Sequence, residues 1–302
     1  MELKTTNNKK KSSFIGILCG IMAAICYGTN PLGALKLYDA GLNVGSVLFY
    51  RFGLAFIIMT AIIALRHESL RLSRRQFILV SFLGVMFSLS SLSLYLSFRH
   101  MAAGIASTLL FVYPILTGVI LVVFFGEKMQ WHTVLSILLA FAGVALLYWN
   151  DMGGTLSLVG VVLVMVSSLT YALYIIAVDK GEKGLSPYQI NFYVLAYSTT
   201  GAIIYTYSTG QSLQLPPDAT SWFYACWLAV VPAILALVLM VYATNAAGST
   251  ATAITGAFEP ITAVMIGITI FNEPFSLRLA IGITMTLIAV MIIALRSNNK
   301  NE

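Results

Sequence analysis

The sequence predicts an all-α integral membrane protein of ten transmembrane helices, arranged as two inverted five-helix repeats. Three observations carry that expectation. The 302 residues are 59% hydrophobic and only 9% charged, against about 25% charged in a soluble domain, so an ordinary water-facing surface cannot be made from them. Apolar runs of about 20 residues, the length that crosses a bilayer, recur ten times between charge, Pro or Gly punctuation. Stretches from the two halves also match at one constant offset: YPILTGVILVVFFGEKMQW (113–131) lies over EPITAVMIGITIFNEPFSL (259–277), pairing Pro114 with Pro260 and Glu127 with Glu273.

The elements follow in order. Residues 1–12 form a tail that carries Lys9, Lys10 and Lys11. The first apolar run, 14–35, exceeds the core length of a secretory signal and has no clear cleavage site, so it reads as a retained helix. It stops before Lys36. The second, 44–65, ends at Arg66, and the third, 76–98, lies between Arg75 and Arg99. The fourth, 102–125, stops at Gly126 and Glu127, and the fifth, 131–148, precedes Asp151. The sixth, 156–178, follows Gly153 and Gly154; the seventh, 187–207, opens on Pro187; the eighth, 221–242, follows Pro216 and Pro217. The ninth, 249–271, ends at Asn272, and the tenth, 277–295, ends at Arg296, leaving 298–302 as a second tail. The first repeat is then 13–150 and the second 151–297. GLNVGSVLFYR (41–51) over GLSPYQINFYV (184–194) supports the same division. Because five is odd, the second repeat enters from the opposite face, as in secondary transporters whose two bundles rock about a shared central site.

Lysine and arginine set the orientation. Most of them, including Lys9–Lys11, Arg66, Arg71, Arg74, Arg75, Lys128, Lys180 and Arg296, fall on the side of the N-terminus; Lys36, Arg99 and Arg278 fall on the other. Both termini are therefore expected in the cytoplasm. The net charge of +6 is spread over short loops, without the extended basic face a nucleic-acid binder needs. Cys19, Cys26 and Cys226 lie in apolar runs and suggest no disulfide framework. His67, His100 and His132 stand near helix ends without metal-ligand spacing, so no metal is expected. A phosphate loop, GxGxxG, HExxH and a nucleophile elbow are missing from the sequence, which argues against an enzyme, a bound cofactor or an ATP-driven pump.

The two long matched segments, each with an aromatic or Glu before Pro, an apolar run and a Gly-Glu or Asn-Glu turn, resemble the repeated signature of the drug/metabolite transporter superfamily, EamA type. Asn272 stands where the first repeat has Gly126. The resemblance implies a carrier of small metabolites in a bacterial inner (plasma) membrane, often an exporter of amino acids or related compounds. Its partners would be a small-molecule solute, the lipid bilayer and, as a coupling ion, protons. A carrier of nucleotide sugars or phosphorylated solutes would need more buried cations than this chain offers. An intramembrane enzyme or a non-transporting sensor is the reading from another class.

Several residues stand out against this background. Glu259 lies about ten residues into the ninth run, roughly 15 Å deep at 1.5 Å per residue. A charge at the bilayer centre costs about 2.5–3.5 kcal/mol and so points to function. Three roles fit: holding a substrate ammonium, carrying a coupling proton, or satisfying backbone at the Pro260 break. Arg51, about 12 Å deep by the same rise, either snorkels outward, pairs with Glu259, or holds a substrate carboxylate. Pro31, Pro114, Pro232 and Pro260 interrupt four runs, and the carbonyls they free need protein or water around them. Tyr27, Thr29, Asn30, Tyr171, Tyr174, Ser90, Ser93 and Ser97 lie near these breaks, either lining a central pocket or bonding helix to helix. Tyr27 and Tyr171 correspond when Gly16 is laid on Gly160. Gly16, Gly20, Ala24 and Gly28 form a smooth stripe for close helix packing, and Tyr148 with Trp149 suits an interfacial belt.

Overall fold

The computed structural model describes residues 2–126, 157–181, 184–247, 255–273 and 276–297, with isolated positions between 131 and 142. Every regular element among the described residues is helical. Among the described residues, six helices are long and apolar enough to cross a membrane: Phe14–Asp39, Val44–Arg66, Arg74–Ser97, Ala103–Phe125, Leu158–Val178 and Ala219–Met240. The expected fifth span is described only at isolated positions, and Glu127, His132, Tyr148, Trp149 and residues 248–254 lie outside the described residues. A count of ten spans is therefore not established.

Breaks divide several spans into shorter helices. The first consists of α1 (Glu2–Gly28) and α2 (Asn30–Asp39), interrupted at Thr29. Next come α3 (Val44–Arg66) and α4 (Arg74–Ser97), each opened by a side-chain cap, Asn43 on Ser46 N–H and Ser73 on Gln76 N–H. The fourth span is α5 (Ala103–Leu110) followed by α6 (Tyr113–Phe125). Then follow α7 (Leu158–Lys180) and α8 (Pro187–Ser208). The eighth span runs from α9 (Ala219–Ala229) through a π-helical turn (Val230–Leu235) to α10 (Ala236–Ala247). The last two helices are α11 (Phe258–Phe271) and α12 (Leu277–Ser297).

Proline explains where these breaks fall. Pro31, Pro114 and Pro260 occupy the first turn of α2, α6 and α11, where a missing N–H costs little because no intrahelical acceptor awaits it. The chain stops being helical just before each of them, and the freed carbonyls find local partners. Tyr27 O accepts from the Asn30 side-chain amide at 2.9 Å, and Gly256 O accepts Glu259 N–H at 3.0 Å. Ser168 on α7 donates to Leu110 O at 3.1 Å, closing the α5 end from a neighbouring helix. Pro232 differs: it sits inside the π turn, which accommodates the ring by widening the helix.

The packing follows the repeat. α1 lies against α10, and α4 against α7; α3 pairs with α8, and α5 with α11. Shifting each span by half the set exchanges the first two contacts and returns each of the other two to itself. Gly28 sets a further close approach, between α1 and α11. A Cβ there would stand 2.5 Å from Thr262 Cβ and 2.6 Å from Glu259 O, so only glycine lets α1 reach the first turn of α11. The outward surface stays apolar, with Phe14, Met22, Ile57, Phe77, Phe124, Val162, Ile204 and Val238 exposed, as a chain solvated by lipid requires.

Candidate functional site

A cavity of about 160 Å³ opens where α1, α3, α4, α7, α8 and the π turn meet. Tyr27, Arg51, Phe87, Tyr171, Tyr174 and Pro232 line it, with Asn191 from the second turn of α8 at one end. An apolar cavity of similar size accommodates a benzene ring. The wall is aromatic: Tyr171 and Tyr174 lie parallel, centroids 5.8 Å apart and planes 6° apart, and Phe87 stands 5.4 Å from Tyr174. Tyr113, from the first turn of α6, meets Tyr171 edge to face at 4.7 Å. Tyr27 and Tyr171, which correspond between the repeats, both reach the cavity.

Arg51 is the charge within this wall, only 6% exposed. Its Nη1 donates to the Tyr95 hydroxyl at 2.8 Å, and its guanidinium lies 5.1 Å from the ring centres of Phe52 and Tyr95. The Tyr95 hydroxyl donates onward to Asn30 Oδ1 at 3.3 Å, and Asn30 Nδ2 donates to Tyr27 O at 2.9 Å. Tyr38 donates to Tyr95 O at 3.0 Å. Three helices and the break at Thr29 are thereby tied to one arginine. Arg51 Nε, fully buried, has no protein partner. A buried N–H without an acceptor costs about 1–3 kcal/mol, more when charged.

Glu259 is half-buried in the first turn of α11 and is not among the residues lining the cavity. It lies within Coulombic reach of Arg51, Tyr27, Tyr113 and Tyr171. The bond from Arg51 goes to Tyr95 and not to this carboxylate.

The remaining expected residues divide by what they touch. Asn30 serves the arginine network, and Thr29 accepts from Trp227 Nε1 at 3.2 Å while donating to Cys26 O. Ser90 bonds helix to helix, exchanging with Ser167 on α7 at 3.1 Å, and Ser97 donates to its own helix at Leu94 O. Ser93 is buried away from the lining. Pro31, Pro114 and Pro260 shape the breaks without entering the cavity wall, whereas Pro232 is part of it. Sequence reasoning missed Tyr95, Phe87 and Asn191. Tyr95 and Phe87 look like any aromatic in an apolar run; Asn191 is a polar residue in a membrane helix and was open to notice.

These are the features of a helical membrane protein with a solute-sized, partly polar interior cavity, and the comparisons agree. The model of the EamA-like transporter family matches residues 14–149 and again 158–295. The chain belongs to that family. It is 28% identical to an uncharacterized transporter of Archaeoglobus fulgidus over 62% of this chain and 65% of that one. It is 36% identical to the uncharacterized transporter YvbV of Bacillus subtilis over 25% of each. The aligned region thus spans less than two thirds of either relative. A solved structure described as "Crystal structure of protein" superposes with a TM-score of 0.62 at 14% identity, covering 95% of this chain and 99% of that one, a likeness of fold.

Proposed function

We propose that the chain is a secondary transporter that moves a small organic metabolite by alternating access, exporting amino acids or related compounds from the cytoplasm across a bacterial inner membrane. The single observation that carries this reading is the buried Arg51 in the wall of an aromatic cavity framed by helices of both repeats. Its donor suits a carboxylate. Glu259 suits an ammonium group or a coupling proton, and the tyrosine wall suits an apolar side chain. The exchange of helix contacts described above supports two inverted five-helix repeats, at 13–150 and 151–297, and the lysine and arginine bias supports both termini in the cytoplasm. Binding at such an interface is the arrangement in which one repeat rocks against the other around a fixed site.

The test is flux. Purified protein in proteoliposomes loaded with labelled amino acids should release at least one of them faster than protein-free vesicles, and an excess of that compound outside should drive exchange. If no amino acid or related carboxylate moves, while thermal-shift screening finds a different class of solute that does, the assignment of solute fails.

A further inference from the structure

Glu273 does work that neither the cavity nor the helix breaks require. Its carboxylate accepts Ala103 N–H at 2.7 Å through Oε1 and Gly104 N–H at 3.3 Å through Oε2, the first two amides of α5. Helix α5 has no cap of its own, since Ala102 holds the N-cap position. The cap comes instead from the far end of α11, in the other repeat. Local geometry is arranged for that reach: Asn272 turns left-handed at φ 52°, the Glu273 N–H closes on Gly267 O at 2.9 Å, and the side chain folds back across Gly267. A Cβ on Gly267 would stand 2.7 Å from Glu273 Cδ and collide with its Oε2, so the carboxylate occupies the space that a side chain there would fill. On the α5 side, a Cβ on Gly104 would lie 3.1 Å from the same oxygen.

The place of this contact gives it meaning. α5 and α11 face each other across the repeats, and the contact lies at the end of the molecule where Lys36 stands 5.3 Å from the Phe271 ring. Lys36 belongs to the sparsely charged side, which the orientation rule assigns to the exterior. The cavity extends the other way, to Asn191 near the start of α8. One end is pinned while the cavity leads toward the opposite end. We propose that Glu273 is the latch of the outer gate, a positioning residue that must leave the α5 amides before the cavity opens outward. This rests on the alternating-access reading above.

The test measures opening apart from flux. In full-length protein with Cys19, Cys26 and Cys226 replaced by serine, a single cysteine is introduced by Tyr174→Cys, and a membrane-impermeant maleimide is applied from the outer side of oriented vesicles. Two variants break the same contact from opposite partners: Glu273→Ala removes the carboxylate, and Gly267→Ala displaces it while leaving the acid. Each should raise the rate of outer labelling about tenfold, the change expected when a hydrogen bond to a charged group is lost from one of two states. The double variant should add nothing further, because both act on one contact. Glu273→Gln, which keeps one acceptor, should fall between. If both single variants fold and melt lower but label at the parental rate, Glu273 is a structural cap and the latch is wrong. Additive effects in the double variant would likewise overturn the shared contact. Flux by protein that retains Tyr174 decides the transport reading separately: flux with unchanged labelling sinks the latch alone, and faster labelling without any flux sinks the transport reading alone.

Discussion

The Nη1 of Arg51 donates to the Tyr95 hydroxyl at 2.8 Å, and that bond holds a buried cation in the wall of an aromatic cavity. Tyr95 also links outward to Asn30, so orientation of the arginine and of the broken first span are set together. Tyr95→Phe leaves a second buried donor without an acceptor, and the expected cost is about 1–3 kcal/mol of stability. Thermal unfolding in detergent checks it; an unchanged melting temperature would show that water replaces the hydroxyl.

Arg51→Lys keeps the charge and loses the planar fork. Solute affinity should fall roughly 10–100-fold, the worth of a hydrogen bond to a charged group, while the fold persists. Equilibrium binding of whichever amino acid the flux assay identifies measures this directly. Equal affinity in the two proteins would remove Arg51 from the site.

Glu259→Gln tests coupling. If the carboxyl takes up and releases a proton in each cycle, flux by the parent varies with pH and flux by the variant does not. A variant with parental rate and parental pH profile would leave Glu259 as support for the break at Pro260.

Gly28→Ala should overpack the contact between α1 and α11, since its Cβ meets Thr262 and the Glu259 carbonyl inside van der Waals distance. Overpacking costs about 1–3 kcal/mol. The melting temperature should drop, and Gly53→Ala, where the nearest atom is 3.7 Å from the new Cβ, should leave it unchanged.

Asp218 offers a pH-dependent control away from the membrane-spanning segments. The Ser221 backbone N–H, its largest contact, holds the Asp218 carboxyl below the usual carboxylate range as it caps α9. A carboxyl depressed in the folded state contributes stability above its unfolded value, near 3.9, and that contribution is lost as pH falls through the folded value. The parent should therefore lose more stability than Asp218→Asn on acidification below about pH 4. Identical pH curves would show the cap to be energetically silent.

Six of the helical spans were legible because composition and run length alone decide what a bilayer accepts, and the breaks were legible because proline forbids the preceding turn. Arg51, Tyr27 and Tyr171 stood out as a charge and aromatics where lipid would not explain them. What sequence did not carry was partnership. Tyr95 reads as one more aromatic until Asn30, 65 residues away, comes beside it. Ser90 looked like a pocket residue because its partner, Ser167, lies on another helix 77 positions on. The repeat match drew attention to Glu273, but the amides it caps are 170 residues earlier, and no local pattern announces them.

The most direct measurement concerns water around Glu259. With Cys19, Cys26 and Cys226 replaced by serine, a cysteine placed at 259 should react with a membrane-impermeant thiol reagent supplied from either side of the membrane, at rates that shift oppositely when solute is added. A cysteine at 259 that reacts from neither side, in protein shown to be folded, would contradict a hydrated interior passage and with it the transport mechanism set out above.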